Sequence, residues 1–386
     1  PLFRKKIKKD CCCRILNLLL RMSDQEYYTG IFILVFSVFI ALTVFINGVL
    51  LKFVKTLGIR EQSTTIIRWS PVSKPSLGGI TFFLIFLLSI SSFSFFFPGN
   101  IIFHDNHSLA LIIICILGFL LGLGDDAYNT NPLLKLFVQT LCGVVLWLSG
   151  AGIKITPYEW LNITLTIIWV IGVMNSINML DNMDGITASV SASIILSFIL
   201  IQIVSDKIHL FDMFVLCAVL ASVIGFLFHN WNPSRMFMGD TGSQFLGVFL
   251  AYYGIRYFWN GTDIQSSLIQ SKQITLVLIG FMIPILDSSI VIINRLLRGQ
   301  SPAVGGKDHT THHLSYLGYS DSQVGFIFLG LSAFSTLLIL VMVRLIDGWS
   351  HLYTIAFWCW FFVVFCVLFI ITRKNKNYVS QGKQGQ

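Results

Sequence analysis

Two adjacent carboxylates, Asp125 and Asp126, close the run LGLGDD in a chain of 386 residues of which only 11% are charged. A charged Asp at the centre of a membrane helix costs about 2.5–3.5 kcal/mol, so such a pair belongs near water or beside a cation. Carboxylates this close repel unless one is protonated or a divalent cation lies between them. Taken alone, the motif is also what an acid-capped helix end looks like. The second polar stretch is NSINMLDNMDGIT, residues 175–187, in which Asn175, Asn178, Asp181 and Asp184 recur every three residues. At about 100° per residue the first and last of these would face opposite sides of a straight helix. The helix must therefore tighten or break near Asn182 and Gly185, leaving Asn178 on its last turn and the two acids in a short loop. Amide and carboxylate oxygens gathered at a helix end suit Mg²⁺, a hard cation that takes oxygen ligands and keeps several waters. A polar turn between two spans is the simpler alternative.

The third stretch, NWNPSRMFMGDTGSQFLG (230–247), sets Asp240, Thr241 and Ser243 at the start of a helix. Unpaired N–H groups there favour a carboxylate cap or a bound anion. Phe237 is a flat aromatic suited to stacking on a base. The fourth, RLLRGQSPAVGGKDHTTHHLSYLGYSD (295–321), carries Arg295, Arg298, Lys307, His309, His312 and His313 on a Gly-rich loop. Cations and imidazoles suit a polyphosphate that the acids alone would repel; zinc is disfavoured by the absence of a nearby Cys and the hard oxygens elsewhere. Asn129 and Lys135 follow the acidic pair. Lys74 lies in SKPSLGGI at a helix entry, where a snorkelling Lys is an adequate account. Asp287, three residues after Pro284 inside an oily segment, needs a partner, either Arg295 or a polar group of another helix. Together these stretches are the inventory for metal-assisted phosphoryl chemistry.

Elements must exist to bring them together. The chain is 55% hydrophobic, with a mean hydropathy of +0.78, well above the roughly 45–50% apolar content of soluble domains. Lipid offers no partners for backbone N–H and C=O groups, so a spanning helix needs about 20 apolar residues. Eleven such segments are expected, near 31–52, 77–97, 108–124, 133–150, 160–180, 185–205, 211–228, 241–258, 273–297, 323–343 and 350–372, or ten if one is re-entrant. The fold class is therefore all-α, a polytopic membrane bundle of about 10–11 helices, with a basic segment over 1–30, one transmembrane catalytic domain over 31–372 and a basic tail over 373–386.

Alternating the loops puts Lys74, Lys135, Arg235, Arg295, Arg298, Lys307 and the tail on one side, against Lys154, Lys207, Arg256, Lys272 and Arg344 on the other. The richer side is the cytoplasmic one by the positive-inside tendency. The four polar stretches share that side. The strongly basic first 21 residues disagree with this topology and read as an interfacial piece. Cys11, Cys12 and Cys13 beside RKKIKKD form a triplet of incidental character, and the other cysteines read as small buried hydrophobes. A transporter would place acids at mid-bilayer in duplicated halves, and no such repeat is present.

GLGDDAYNTNPLLKLFVQ, NSINMLDNMDGIT, FMGDTGSQFLG and DHTTHHLSYLG, in this order, resemble the polyprenyl-phosphate N-acetylhexosamine-1-phosphate transferases, a membrane-type glycosyltransferase family 4, over residues 31 to 320. The resemblance implies transfer of a sugar-1-phosphate from a UDP-amino sugar to a polyprenyl phosphate lipid with release of UMP, at the cytoplasmic face of a bacterial inner membrane, starting a cell-envelope glycan. It implies Mg²⁺, with Mn²⁺ as the alternative, and no nucleic-acid partner; a homodimer is compatible with it. By motif, Asp125 is the implied base with Asp126 in support, and Asp240, Asn178 and Asp126 are the metal residues. Asp181, Asp184 and Asn175 shape the donor pocket, Phe237 lies by the uracil, and Lys74, Asn129 and Lys135 contact phosphate or nucleotide. Arg295, Arg298 and the three histidines close over the substrate. The peptidoglycan branch, which transfers phospho-N-acetylmuramoyl-pentapeptide, carries three consecutive histidines and the antigen-initiating branch a His-x-His-His cluster. The gap between His309 and His312 favours the second, and with it a UDP-GlcNAc-type donor.

Overall fold

The structure, a computed structural model, describes residues 24–57, 74–98, 105–261, 270–301, 306–346 and 348–374. The cysteine triplet and nearly all of the basic segment and tail lie outside these residues. Thirteen helices follow one another: α1 (Asp24–Leu57), α2 (Gly78–Phe96), α3 (Asn106–Tyr128), α4 (Pro132–Leu148), α5 (Glu159–Leu180), α6 (Ile186–Val204), α7 (Leu210–Asn230), α8 (Gly239–Gly254), α9 (Gln270–Gly280), α10 (Met282–Leu296), α11 (Thr310–Tyr316), α12 (Asp321–Leu340) and α13 (His351–Lys374). Among the described residues no strand is present beyond one isolated parallel bridge, Ser76 to Phe237. The protein is an integral membrane bundle.

All eleven expected segments are helical, but not all are full-length spans. Eight helices are long and apolar enough to cross a membrane. The pair α9 and α10 is apolar enough taken together but bent by 75° at Phe281, the form of a broken span or a re-entrant loop. Pro284 explains the break: it lacks the N–H that would bond Gly280, and its ring crowds that carbonyl. The remaining two are shorter, α4 with 17 residues and α8 with 16, the latter extended by a π turn over Ile255–Trp259.

Polar residues of the expected kinds set the helix ends. Asp105 caps α3 by accepting from the N–H of His107 and Ser108, and Asn129 ends it in the left-handed conformation (φ 52°). Asn131 caps α4 ahead of Pro132, whose missing N–H costs nothing at a first helical position. The tight turn folds α4 back beside α3. Gly185, at φ +76°, ends the short loop between α5 and α6 and lies before the latter's first turn.

The central element is α8, whose residues Thr241–Gly254 are all buried, packed against α2, α3, α5 and α6. Its aromatic face, Phe245 and Phe249, meets Phe86 of α2 edge-on, with ring centroids 5.5 and 6.2 Å apart. At its start the packing is closer still. A Cβ on Gly79 of α2 would collide with the backbone of Thr241 and Gly242, and one on Gly122 of α3 with the backbone of Asp240 and Thr241. Only glycine lets three helices touch main chain to main chain there.

Candidate active site

The start of α8 is held from α3. Asp126 Oδ1 accepts the Asp240 N–H at 3.1 Å, and its Oδ2 accepts both the N–H (2.9 Å) and the hydroxyl (2.7 Å) of Thr241. A carboxylate thus satisfies helix-terminal donors in trans, where the positive end of the peptide dipoles favours it. Gly239, at φ +74°, leaves room, since a Cβ there would lie 2.6 Å from Asp126 Oδ2. Asp240 is therefore not the cap of α8; it is the residue that Asp126 orients. Asp126, expected as a metal residue, thus also anchors the start of α8 through both of its oxygens.

Asp125, buried at 5% exposure, turns inward beside it. Thr130 donates to Asp125 Oδ1 through its N–H and hydroxyl, both at 2.9 Å, and Lys135 forms an ion pair with Oδ2. The Asp125 and Asp240 carboxyl groups lie within hydrogen-bonding reach of each other. Asn178, on the last turn of α5, donates to Asp240 Oδ1 at 2.6 Å and to Ser243 Oγ at 2.8 Å. Four helices therefore deliver Asp125, Lys135, Asn178 and Asp240 to one place. Among the described residues no three His, Cys, Asp or Glu side chains form a cation cage. Neighbouring carboxylates fit a cation that needs only one or two from the protein and takes the rest from phosphates and water.

A second cluster adjoins this one through the chain itself. The segment before α2 pairs with the segment before α8: Phe237 N–H donates to the Pro75 carbonyl, and Gly78 and Gly79 donate to Phe237 and Met238. That pairing sets Lys74 Nζ 5.1 Å from the centre of the Phe237 ring. Lys74 also meets Asp184 Oδ2 at 3.3 Å and Ser234 Oγ at 2.9 Å. Asp184 Oδ2 further accepts from Asn232 Nδ2 (3.3 Å) and the Ser234 N–H (3.0 Å), so it orders the 232–237 loop as well as the lysine. Asp181 caps α5 at the mouth of the short loop, as its spacing required.

The histidine segment joins through that loop. Thr311 donates to Asn182 Oδ1 at 2.7 Å. Asp287 finds its partner on another element rather than at Arg295: His309 Nδ1 lies 2.8 Å from its Oδ2, and Thr310 donates N–H (2.9 Å) and hydroxyl (2.6 Å) to its Oδ1. Arg295 forks onto Asp308 through Nε (3.0 Å) and Nη2 (2.7 Å), and Arg298 Nη2 reaches the same carboxylate at 3.1 Å. Burial alone would raise the Asp308 carboxyl, but hydrogen bonds and charge from Arg295, reinforced by His309 and Arg298, hold it below the usual carboxylate range. Both arginines, expected to close over substrate, brace the histidine segment through Asp308. Burial pushes His312 down to about 3 and His313 to about 4, so both rings are neutral at pH 7.

Two other expected contact residues lie in different settings. Asn129 is the exposed left-handed end of α3, and Asn175 donates at 2.8 Å to Gln139 Oε1 inside the bundle. Sequence reasoning passed over Gln139, Gln244, Thr130, Ser234 and Asp308. The first two had a readable signal, a lone amide four residues after Lys135 and after Asp240 in otherwise oily helices.

Acids, amides and cations of remote segments converge at one end of a helical membrane bundle, an arrangement that defines a membrane-embedded enzyme handling charged groups. Residues 108–258 match the family described as glycosyl transferase family 4. The chain is similar to a probable undecaprenyl-phosphate N-acetylglucosaminyl 1-phosphate transferase of Bacillus subtilis, 26% identical over 272 residues that cover 66% of this chain and 71% of the relative. It is similar also to phospho-N-acetylmuramoyl-pentapeptide-transferases of Kosmotoga olearia, 25% identical over 83% of this chain and 98% of the relative, and of Oceanobacillus iheyensis, 27% identical over 77% and 92%. The chain is thus similar to polyprenyl-phosphate sugar-phosphate transferases, and the stretch that matches the family carries Asp125, Lys135, Asn178 and Asp240.

Proposed function

We propose that this chain transfers N-acetylhexosamine-1-phosphate, with GlcNAc-1-phosphate as the group moved, from a UDP-sugar to undecaprenyl phosphate, releasing UMP. The carrying observation is the meeting of Asp125 and Asp240, flanked by Lys135 and Asn178. In this reading Asp125, held by Thr130 on one oxygen and Lys135 on the other, takes the proton of the lipid phosphate. An oxygen of that phosphate attacks the phosphorus bearing the sugar; the bond from that phosphorus to the bridging oxygen breaks, and UMP leaves with the electron pair. Lys135 offsets the charge of the incoming phosphate. Lys74 and Phe237 offer a cation and a flat ring to the uridine diphosphate. Asp240, Asn178 and Asp126 would hold Mg²⁺, or Mn²⁺ in its place, leaving Asp125 to the proton; when bound, the ion offsets negative charge on the diphosphate.

Lys74, Lys135, Arg235, Arg295, Arg298 and Lys307 gather at the site's end of the bundle, which supports a cytoplasmic-facing site in a bacterial inner membrane. The similarity to an N-acetylglucosaminyl 1-phosphate transferase supports the donor, as does the DHTTHH spacing. The test is purified protein with Mg²⁺, undecaprenyl phosphate and a panel of UDP-sugars including the muramoyl pentapeptide. UMP release is expected with UDP-GlcNAc. Folded protein that releases UMP only with the pentapeptide donor overturns the choice of donor, and protein inert to the whole panel overturns the reaction.

A further inference from the structure

One helical turn into the bundle from the site lies a tier of three amide side chains. Gln139 stands four residues after Lys135 on α4, Gln244 four after Asp240 on α8, and Asn175 three before Asn178 on α5. Such spacings put each amide on the same helix face as its neighbour in the site. The amides are joined in a row: Asn175 Nδ2 donates to Gln139 Oε1 at 2.8 Å, and Gln139 Nε2 donates to Gln244 Oε1 at 3.3 Å. Asn175 Nδ2 also reaches the Ile171 carbonyl at 2.8 Å. Gln139 and Gln244 are each 1% exposed.

Apolar packing between membrane helices says little about depth, because lipid tails are as oily as the side chains they compete with. An amide-to-amide bond is different, since sliding one helix along another breaks it and strands both partners away from water. The three site residues concerned sit on three separate helices, Asn178 bonding Asp240 at 2.6 Å and Lys135 pairing with Asp125 beside them, so an axial slip of even part of a turn would part these contacts. We infer that Gln139, Asn175 and Gln244 are positioning residues that fix the depth of α4, α5 and α8 relative to one another, so that Lys135, Asn178 and Asp240 arrive at a single point. The inference rests on the reading of those three as the phosphate-handling groups. It also gives Asn175 a role other than substrate contact.

The decisive variant is the triple Gln139→Leu, Asn175→Leu, Gln244→Leu. Removing every partner at once leaves no stranded amide, so its melting midpoint in detergent is expected to stay near that of the wild type. Its kcat per folded molecule should nevertheless fall roughly 10- to 100-fold, with KM for both substrates changed by less than about threefold, as misplacement of reacting groups predicts. Gln139→Leu alone should lose stability as well as kcat. The exchanged pair Asn175→Gln with Gln139→Asn preserves the reach between those two positions, though not that to Gln244, and should recover part of the kcat lost in Gln139→Leu. A folded triple variant with wild-type kcat, or an exchanged pair no better than the single variant, overturns the inference while leaving the reaction intact. A wild type inert to every donor overturns both.

Discussion

The two ends of α8 handle buried charge in opposite ways. At the C-terminal end, where the π turn begins, Arg256 Nε pairs with Asp212 Oδ2 at 2.5 Å, and Tyr257 donates its hydroxyl to the same oxygen at 2.9 Å. One cation, one anion and one neutral donor close the account locally. At the N-terminal end Asp125, Asp126 and Asp240 crowd together, with Lys135 on Asp125 and neutral donors on the other two. Negative charge is left in excess, among glycines that admit no bulk. A buried group balanced by its neighbours holds a fold together; a surplus of one sign invites a cation and a substrate.

The contrast is broken most severely by Asp240→Ala. It is expected to lower kcat by about a thousandfold or more and to abolish metal dependence, while the helical circular dichroism and melting midpoint stay close to the wild type. Turnover that survives with its metal requirement unchanged would remove Asp240 from the site. At the other end, Arg256→Met leaves Asp212 without its cation and should cost about 1–3 kcal/mol of stability, yet kcat of the folded protein should remain within about twofold, because no reacting group moves. A large drop in kcat there would erase the distinction between the two ends. The smallest effect concerns acid. The unfolded chain takes up protons on His312 and His313 as pH falls through about 6.5, whereas burial holds the folded rings neutral down to about 3 for His312 and about 4 for His313. Stability is thus complete above pH 6.5 and is lost progressively below it, a decline of roughly a few degrees in melting midpoint by pH 5. A midpoint independent of pH over that range would count against neutral, buried rings.

How legible this was depended on the range of the interaction. GLGDD, the three-residue spacing of Asn175 to Asp184 and the glycine beside Asp184 announced helix ends, because a break in oily periodicity is a local signal, and the helices end at Tyr128 and Leu180 accordingly. Pro284 carried the bend between α9 and α10, although a hydropathy window averages over it. What the sequence could not show was which polar group answers which. That Thr241, far along the chain, donates twice to Asp126 has no trace in GLGDD. That Asp308 answers both Arg295 and Arg298 is equally invisible in the spacing of the three. Such pairings are settled by how helices pack, and nothing in the local spacing encodes them.

The shortness of α4 reaches beyond the protein. Seventeen residues rise about 25 Å, some 5 Å less than the hydrocarbon of an average bilayer. Lipid along that flank has to thin or the headgroups have to dip to meet the helix, and Lys135 stands on its first turn. The membrane is thereby drawn down toward the acids, so a long-tailed phosphate can approach them while its chain remains in oil.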